Sequence, residues 1–329
     1  MTVTLSDIRS AGARIAGKVE RTPTLPSPSL SEPCGVPVHL KLEHRQTTGS
    51  FKLRGASNAV ALLVESGAGA RGVVAASTGN HGRALAHAAK LAGIRATICM
   101  SRLVPENKVS EIRRLGAEVR IVGKSQDDAQ EEVARLVASD GMAMVPPFDD
   151  AAIVAGQGTL GLEIVEDVPD VETVLIQLSG GGLASGVAAA VKALRPSATI
   201  VGISMARGAA MKASLDAGRP VQVEELETLA DSLGGGIGLD NRLTFAMCRD
   251  LLDDVVLLSE DEIAEGIRHV YAYQREVVEG AGAVGVATLL ANKVKPKGPT
   301  VAVLSGGNID MALHRKIVCG TWHDGERAA

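Results

Sequence analysis

Lys52 occupies an odd setting for a charged residue. The run Gly49-Ser50-Phe51-Lys52-Leu53-Arg54-Gly55 puts its ammonium group between a phenylalanine and a leucine, just past a turn-forming glycine. A lysine meant for solvent needs no such neighbours. A buried one is costly unless it is neutral, paired or covalently bound. Capture of a carbonyl compound as a Schiff base is one established use of a lysine so placed.

Three glycine-rich stretches could complete a site around it. AASTGNHG (75–82) follows a short apolar run. Ser77 and Thr78 offer hydroxyls, Asn80 an amide, and the next helix its N-terminus, donors that suit a carboxylate. Taken alone, the same residues are ordinary helix caps. LSGGGLASG (178–186) has successive glycines whose N–H groups can close on an anion. With neither dinucleotide nor nucleoside-triphosphate spacing it suits a single phosphate monoester, although a tight turn with close helix–strand packing explains it equally well. LSGGNID (304–310) places Ser305 at a strand end, facing a cleft at the carboxyl edge of a sheet, or in a plain turn. DSLGGGIG (231–238) is a flexible loop or another wall. Lysine, carboxylate loop, phosphate loop and strand-end serine are together the parts of a pyridoxal phosphate site.

The elements that must position these parts read as a parallel α/β architecture. Candidate strands lie at 37–42, 72–76, 95–100, 118–122, 142–145, 173–178, 199–203 and 299–304. Most are continuous apolar runs, as expected of strands covered on both faces. Helical patterns fall between them, at 81–92, 105–115, 125–139, 183–194 and 260–273. The polar turn PPFDD (146–150) separates two βα series. The predicted division is a small, mobile substrate-loop domain over 72–148 and a large cofactor-binding domain made of 1–71 and 149–329.

Composition narrows the class. A net charge of -4 gives no footprint for nucleic acid or an anionic membrane, and aromatics at 2% supply no base-stacking platform. No apolar run is long enough to span a bilayer, and the N-terminus has no signal-peptide core, so a cytoplasmic protein is expected. Cys34, Cys99, Cys248 and Cys319 lack metal or disulfide spacing. The remaining histidines have no metal-type spacing, and Asp149–Asp150 and Asp253–Asp254 read as turn and cap residues. A Rossmann-type hydride-transfer enzyme would explain the sheet but not Lys52, and GxGxxG with its acidic partner is missing. A non-catalytic sensor on the same fold is the other rival.

GSFKLRGA, STGNHG, AGQGT (155–159), SGGGL and SGGNID, in that order, resemble the threonine/serine dehydratase branch of the tryptophan-synthase-β-like pyridoxal phosphate enzymes (fold type II). HRQTTGSFKLRGA, MSRLVPENKV, DSLGGGIGLDNR and REVVEGAGAVG most resemble the hydroxyectoine utilization dehydratases. The resemblance implies two domains, each a mostly parallel twisted sheet flanked by helices, and a homodimer. It implies that Lys52 carries the cofactor and then moves the α-proton. Phe51 would pack beside the ring, Asn80 meet its phenolic oxygen, Ser305 its nitrogen, and Glu279 its edge. Backbone N–H groups of Gly180, Gly181, Gly182 and Leu183 would hold the phosphate. Ser77, Thr78, Gly79 and His81 would form the substrate-carboxylate loop, with Thr78 a candidate proton donor to the leaving oxygen.

The implied reaction removes the β-hydroxyl of a hydroxy amino acid, giving a 2-oxo acid and ammonia. In hydroxyectoine catabolism the substrate would be a β-hydroxylated diamino acid derivative. Threonine or serine deamination, or racemisation, is the alternative. Arg207 and Gly234–Gly236 would accommodate a larger substrate, although Arg207 reads better as a surface charge. Two departures from the family pattern carry expectations. Ser204 and Ala210 stand where relatives carry acidic ligands for a divalent cation, so no metal is expected. Gly280 stands where relatives have proline, which is expected to loosen the wall beside Glu279.

Overall fold

The computed structural model describes residues 2–325 apart from Thr78 and Pro105, with the backbone alone at Asn107. Two sheets organise the chain. The larger has the order β1(Thr24–Pro26), β2(Val38–Lys41), β10(Thr300–Val303), β7(Thr173–Gln177), β8(Thr199–Met205), β9(Asp254–Leu258). All its pairings are parallel except β1 on β2. The smaller has the order β5(Glu118–Ile121), β4(Ala96–Met100), β3(Val73–Ala76), β6(Ala143–Met144), all parallel. The fold is therefore α/β with parallel sheets flanked by helices, as the apolar runs predict.

All eight expected strands form, and two more join them. β1 is three residues long, ends in proline and pairs only at an edge, so it leaves almost no pattern. β9 begins inside the acidic pair read as a turn. Asp253 does terminate a turn, accepting from Ile200 N at 2.7 Å, but the strand starts one residue later. The helix expected at 260–273 is α-helical only over α11(Glu260–His269). It then widens into a π-turn, Val270–Gln274, which ends at Arg275 in a left-handed conformation.

Period-two alternation in the large sheet feeds two cores. Val174 and Ile176 face one side with Ile200, Val301 and Val303; Leu175 faces the other with Val201, Ile203 and Ala302. On the first side lie α7(Ala151–Asp167) and α8(Gly182–Leu194), on the second α11 and α12(Gly280–Leu290). α3(Lys52–Glu65) packs Leu53, Ala56 and Val60 against Val73 and Ala75 of the small sheet. The same helix crosses α7 closely: a Cβ on Gly156 would lie 2.6 Å from Gly55 Cα, which only two glycines allow. The AGQGT glycines thus fix the distance between the helix that begins at Lys52 and the helix stacked on α8. No helix among the described residues is long and apolar enough to cross a membrane.

β7 and β10 are adjacent and parallel, yet the chain leaves β7 toward β8 and reaches β10 last, on the opposite flank. This reversal is the topological switch point at which ligands bind in open α/β sheets.

Candidate active site

The loops after β7 and β10 meet the start of α3 at that switch point, and backbone bonds join them. Ser50 bridges Gly306, Phe51 N donates to Ser305 O at 3.0 Å, and Gly307 N donates to Gly49 O at 2.9 Å. The turn before Lys52 is therefore stitched to the loop carrying Ser305. A cavity of about 550 Å³ opens between the two sheets. Phe51, Lys52, Ser77, Gly79, Asn80, His81, Gly180, Gly181, Gly182, Leu183, Glu279 and Ser305 all line it, so sequence positions more than 250 apart converge. Thr78 lies outside the described residues.

Lys52 lines this cavity and, among the described residues, has one hydrogen-bond partner, donating to Pro147 O at 2.9 Å; its nitrogen lies 5.3 Å from the centre of the Phe51 ring. Burial pushes its pKa down to about 8, with the Glu279 charge pulling the other way. It is thus an amine with a far larger neutral fraction near physiological pH than an ordinary lysine, and the neutral form is the one a base or carbonyl nucleophile needs. Burial, reinforced by Asp231, raises Glu279 to about 7, against hydrogen bonds from Asn80 and Ser232 and the backbone of Asn308. His81 donates from Nε2 to Val145 O at 2.9 Å, and burial and the Lys52 charge hold it near 4, so it is a neutral imidazole.

The glycine loop is the N-terminus of α8. Gly181 caps it with φ 86°, and a Cβ on Gly180 would lie 2.3 Å from the Phe148 ring. Among the described residues, none of the backbone N–H groups of 180–183 donates to a protein acceptor. The loop is held from behind. Thr244 Oγ1 donates to Gly180 O at 2.7 Å, and Asp149 accepts from Leu243 N and Thr244 N at the start of α10(Leu243–Leu251). Asp150 caps α7. The acidic pair is thus a pair of caps, as its setting predicts. The same PPFDD turn holds Lys52 through Pro147, packs Phe148 on the glycines and braces the loop through Asp149.

This donor set fits pyridoxal phosphate. Unpartnered N–H groups at a helix N-terminus suit the phosphate, Ser305 is buried at the switch point, and Gln177 Oε1 in the cavity wall is buried without a partner among the described residues. The carboxylate-loop stretch is both of its alternatives: Gly82 N donates to Ser77 Oγ at 3.2 Å, a capping bond, while Ser77 still lines the cavity.

Arg207 lies at the surface, as its better reading has it, and does not reach the cavity. It donates to Glu227 O at 3.2 Å and pairs with Asp324 at 2.6 Å, on the far side of the 225–234 segment. Gly280 does not loosen the wall. A Cβ there would lie 2.1 Å from Leu229 O, so the glycine lets that backbone press in beside Glu279. The glycines 234–236 do line the cavity.

Sequence reasoning missed Arg54, which is 1% exposed and grips Glu43 with two bonds of 2.8 Å and Glu163 with bonds of 2.6 and 2.9 Å. The signal was an arginine in an apolar helix, but its partners lie 11 and 109 residues away.

A family model described as "Pyridoxal-phosphate dependent enzyme" matches residues 15–306. The chain belongs to that family. It is 66% identical over 319 residues to a Sinorhizobium fredii protein whose name assigns it provisionally to the threonine dehydratases, covering 97% of this chain and 96% of that one. It is 44% identical over 317 residues to an L-threonine ammonia-lyase of Thermotoga maritima, covering 96% and 78%. Among solved structures it superposes on maize serine racemase with a TM-score of 0.91 at 33% identity, covering 97% and 98%. In this pyridoxal phosphate enzyme the converging residues are the candidate active site.

Proposed function

We propose that the enzyme is a dehydratase and ammonia-lyase of β-hydroxy amino acids, with L-threonine and L-serine as substrates. The observation that carries this is Lys52: a half-buried lysine with pKa about 8, sharing its cavity with a helix N-terminus whose N–H groups meet no protein acceptor among the described residues. The threonine-directed names of two relatives support the substrate class.

When bound, the cofactor supplies an electron sink for the pair released at the substrate α-carbon. Lys52, in its neutral form, would take the α-proton. Phe51 would pack beside the ring. The N–H groups of Gly180, Gly181, Gly182 and Leu183 would hold the phosphate, and Asn80 would donate to the phenolic oxygen. Ser305 would meet the ring nitrogen without protonating it, which would favour expulsion of a β-leaving group over transamination. Glu279 would stand at the ring edge. Ser77, Thr78, Gly79 and His81 receive the substrate carboxylate, and the Thr78 hydroxyl protonates the leaving oxygen. The β-hydroxyl leaves as water, and one water returns to release nitrogen as ammonia, so no oxidant is needed. Residues 72–148 act as a small mobile domain that brings this loop onto the large one (1–71 and 149–329). A homodimer in the cytoplasm completes the reading; four unpaired cysteines suit a reducing compartment.

A narrower reading has one observation in its favour. Asp127, Glu225 and Asp231 line the cavity beside Gly234–Gly236, opposed there by Lys108. An acidic wall suits a substrate with a second cationic group, such as the β-hydroxylated diamino acid derivative expected in hydroxyectoine catabolism. Ammonia and 2-oxo acid release from L-threonine, L-serine and hydroxylated diamino acids ranks these substrates, and chiral analysis of recovered substrate reports racemisation. Failure of a holoenzyme with an intact cofactor band to release ammonia from any of them would sink the proposal.

A further inference from the structure

Asn308 touches the cavity residues without lining the cavity itself. It sits in the loop after β10, and its Nδ2 donates in two directions: to Thr48 O at 2.9 Å and to Asn80 Oδ1 at 2.6 Å. Its Oδ1 accepts from Arg83 Nη1 at 3.2 Å, and its backbone N–H reaches the Glu279 carboxylate. Gly49 makes room for it: φ is 76° there, and a Cβ would lie 2.5 Å from Asn308 Oδ1.

The polarity of this chain follows from its fixed ends. A backbone carbonyl only accepts and a guanidinium only donates. Thr48 O on one side and Arg83 on the other therefore leave Asn308 a single amide orientation, with NH₂ toward Thr48 and Asn80. Asn80 must then turn its oxygen to Asn308. Its own NH₂ is left to face Glu279 Oε1, at 2.8 Å, and the cavity. We propose that Asn308 is a positioning residue that orients Asn80, so that Asn80 presents N–H rather than C=O to the phenolic oxygen of pyridoxal phosphate. This inference rests on the assignment of Asn80 to that oxygen. It also ties the turn before Lys52 to α4(Asn80–Leu91) on the small sheet, one bond to each.

The test uses the full chain reconstituted with pyridoxal phosphate. Its readouts are the visible absorption band of the bound cofactor, the pH titration of that band, the cofactor dissociation constant and the melting temperature. Asn308→Asp keeps the shape but sets an acceptor against Thr48 O and Asn80 Oδ1. The expected result is a shifted band and titration, with cofactor binding weakened roughly threefold to tenfold, the worth of about one hydrogen bond. Asn308→Ala shifts both in the same direction by less, and it carries the test if the aspartate variant does not fold. Asn80→Ala is the control. If it moves the band while both Asn308 variants leave band, titration and affinity at wild-type values, lowering only the melting temperature, Asn308 is merely structural and the inference is overturned. If Asn80→Ala leaves the band unmoved, the assignment of Asn80 falls and this inference with it.

Discussion

Lys52 and Arg54 stand two residues apart in the first turn of α3, Lys52 half-buried at the cavity and Arg54 fully buried, and the protein treats them in opposite ways. Arg54 meets four carboxylate oxygens, from Glu43 and Glu163, and a hydroxyl from Thr159. Burial works against its charge, yet the two carboxylates outweigh burial and hold its pKa above the ordinary arginine value. Glu43 is the mirror case: burial alone would raise it, but Arg54, Thr22 and Lys41 hold it low. Lys52 has, among the described residues, one carbonyl partner and the charge of Glu279 in its favour, and burial wins. One cation is saturated and structural. The other is left under-partnered, so its nitrogen is available for chemistry. A buried charge is therefore read by counting its partners, not by its burial alone.

Four changes sharpen or break this contrast. Lys52→Met should lower turnover by at least about a thousandfold, the scale of losing a general base, and abolish the visible band of the cofactor. In the cofactor-free protein, denaturant unfolding should find it as stable as the parent or more so, since an under-partnered buried cation has been removed. Arg54→Met should do the reverse, destabilising by about 3–5 kcal/mol, because Glu43 is left buried without its main partner. Arg54→Lys should cost about 1–3 kcal/mol, since an ammonium cannot engage both carboxylates in bidentate fashion. An Arg54→Met variant of parental stability would break the contrast.

The fourth and smallest effect is on pH dependence. Glu279 has a folded pKa of about 7, above its unfolded value of 4.5, so the folded state holds the extra proton and stability falls as pH rises between the two. His81 runs oppositely: its folded pKa of about 4 lies below 6.5, so its contribution is lost as acid brings the pH down through that window. Glu279→Gln should therefore gain stability over the cofactor-free parent as pH rises from 4.5 to 7, by about 2 kcal/mol. Unfolding curves at matched pH values check the sign, and a gap that shrinks with rising pH would contradict it.

Much of this was legible in the sequence, for physical reasons. Strands buried on both faces write continuous apolar runs, so β2 and the buried strands β3, β4, β7, β8 and β10 were visible. Lys52 was visible because its immediate neighbours are apolar. The 180–183 loop was visible because only glycine lets the backbone approach Phe148. What failed to show depends on distant partners. Arg54 cannot be read as clamped without Glu163, 109 residues on. Gly280 looked loosening until Leu229 O was found against it. Arg207 was legible as a surface charge; its partner Asp324, 117 residues on, was not. β1 is too short to write a pattern.

Lys52 and Lys41 are both held within the protein, Lys52 half-buried in the cavity wall and Lys41 wholly buried, and only Lys52 has the environment of a reactive amine. Lys41 is wholly buried, but it pairs with Glu163 at 2.8 Å and Asp167 at 3.1 Å and donates to Thr22 O at 2.7 Å. Borohydride reduction of the holoenzyme, followed by digestion and peptide mass spectrometry, distinguishes them directly. The account predicts the pyridoxyl mass on the peptide containing Lys52, and on no other. The same mass on the Lys41 peptide, or on no peptide of a fully loaded protein, would contradict it.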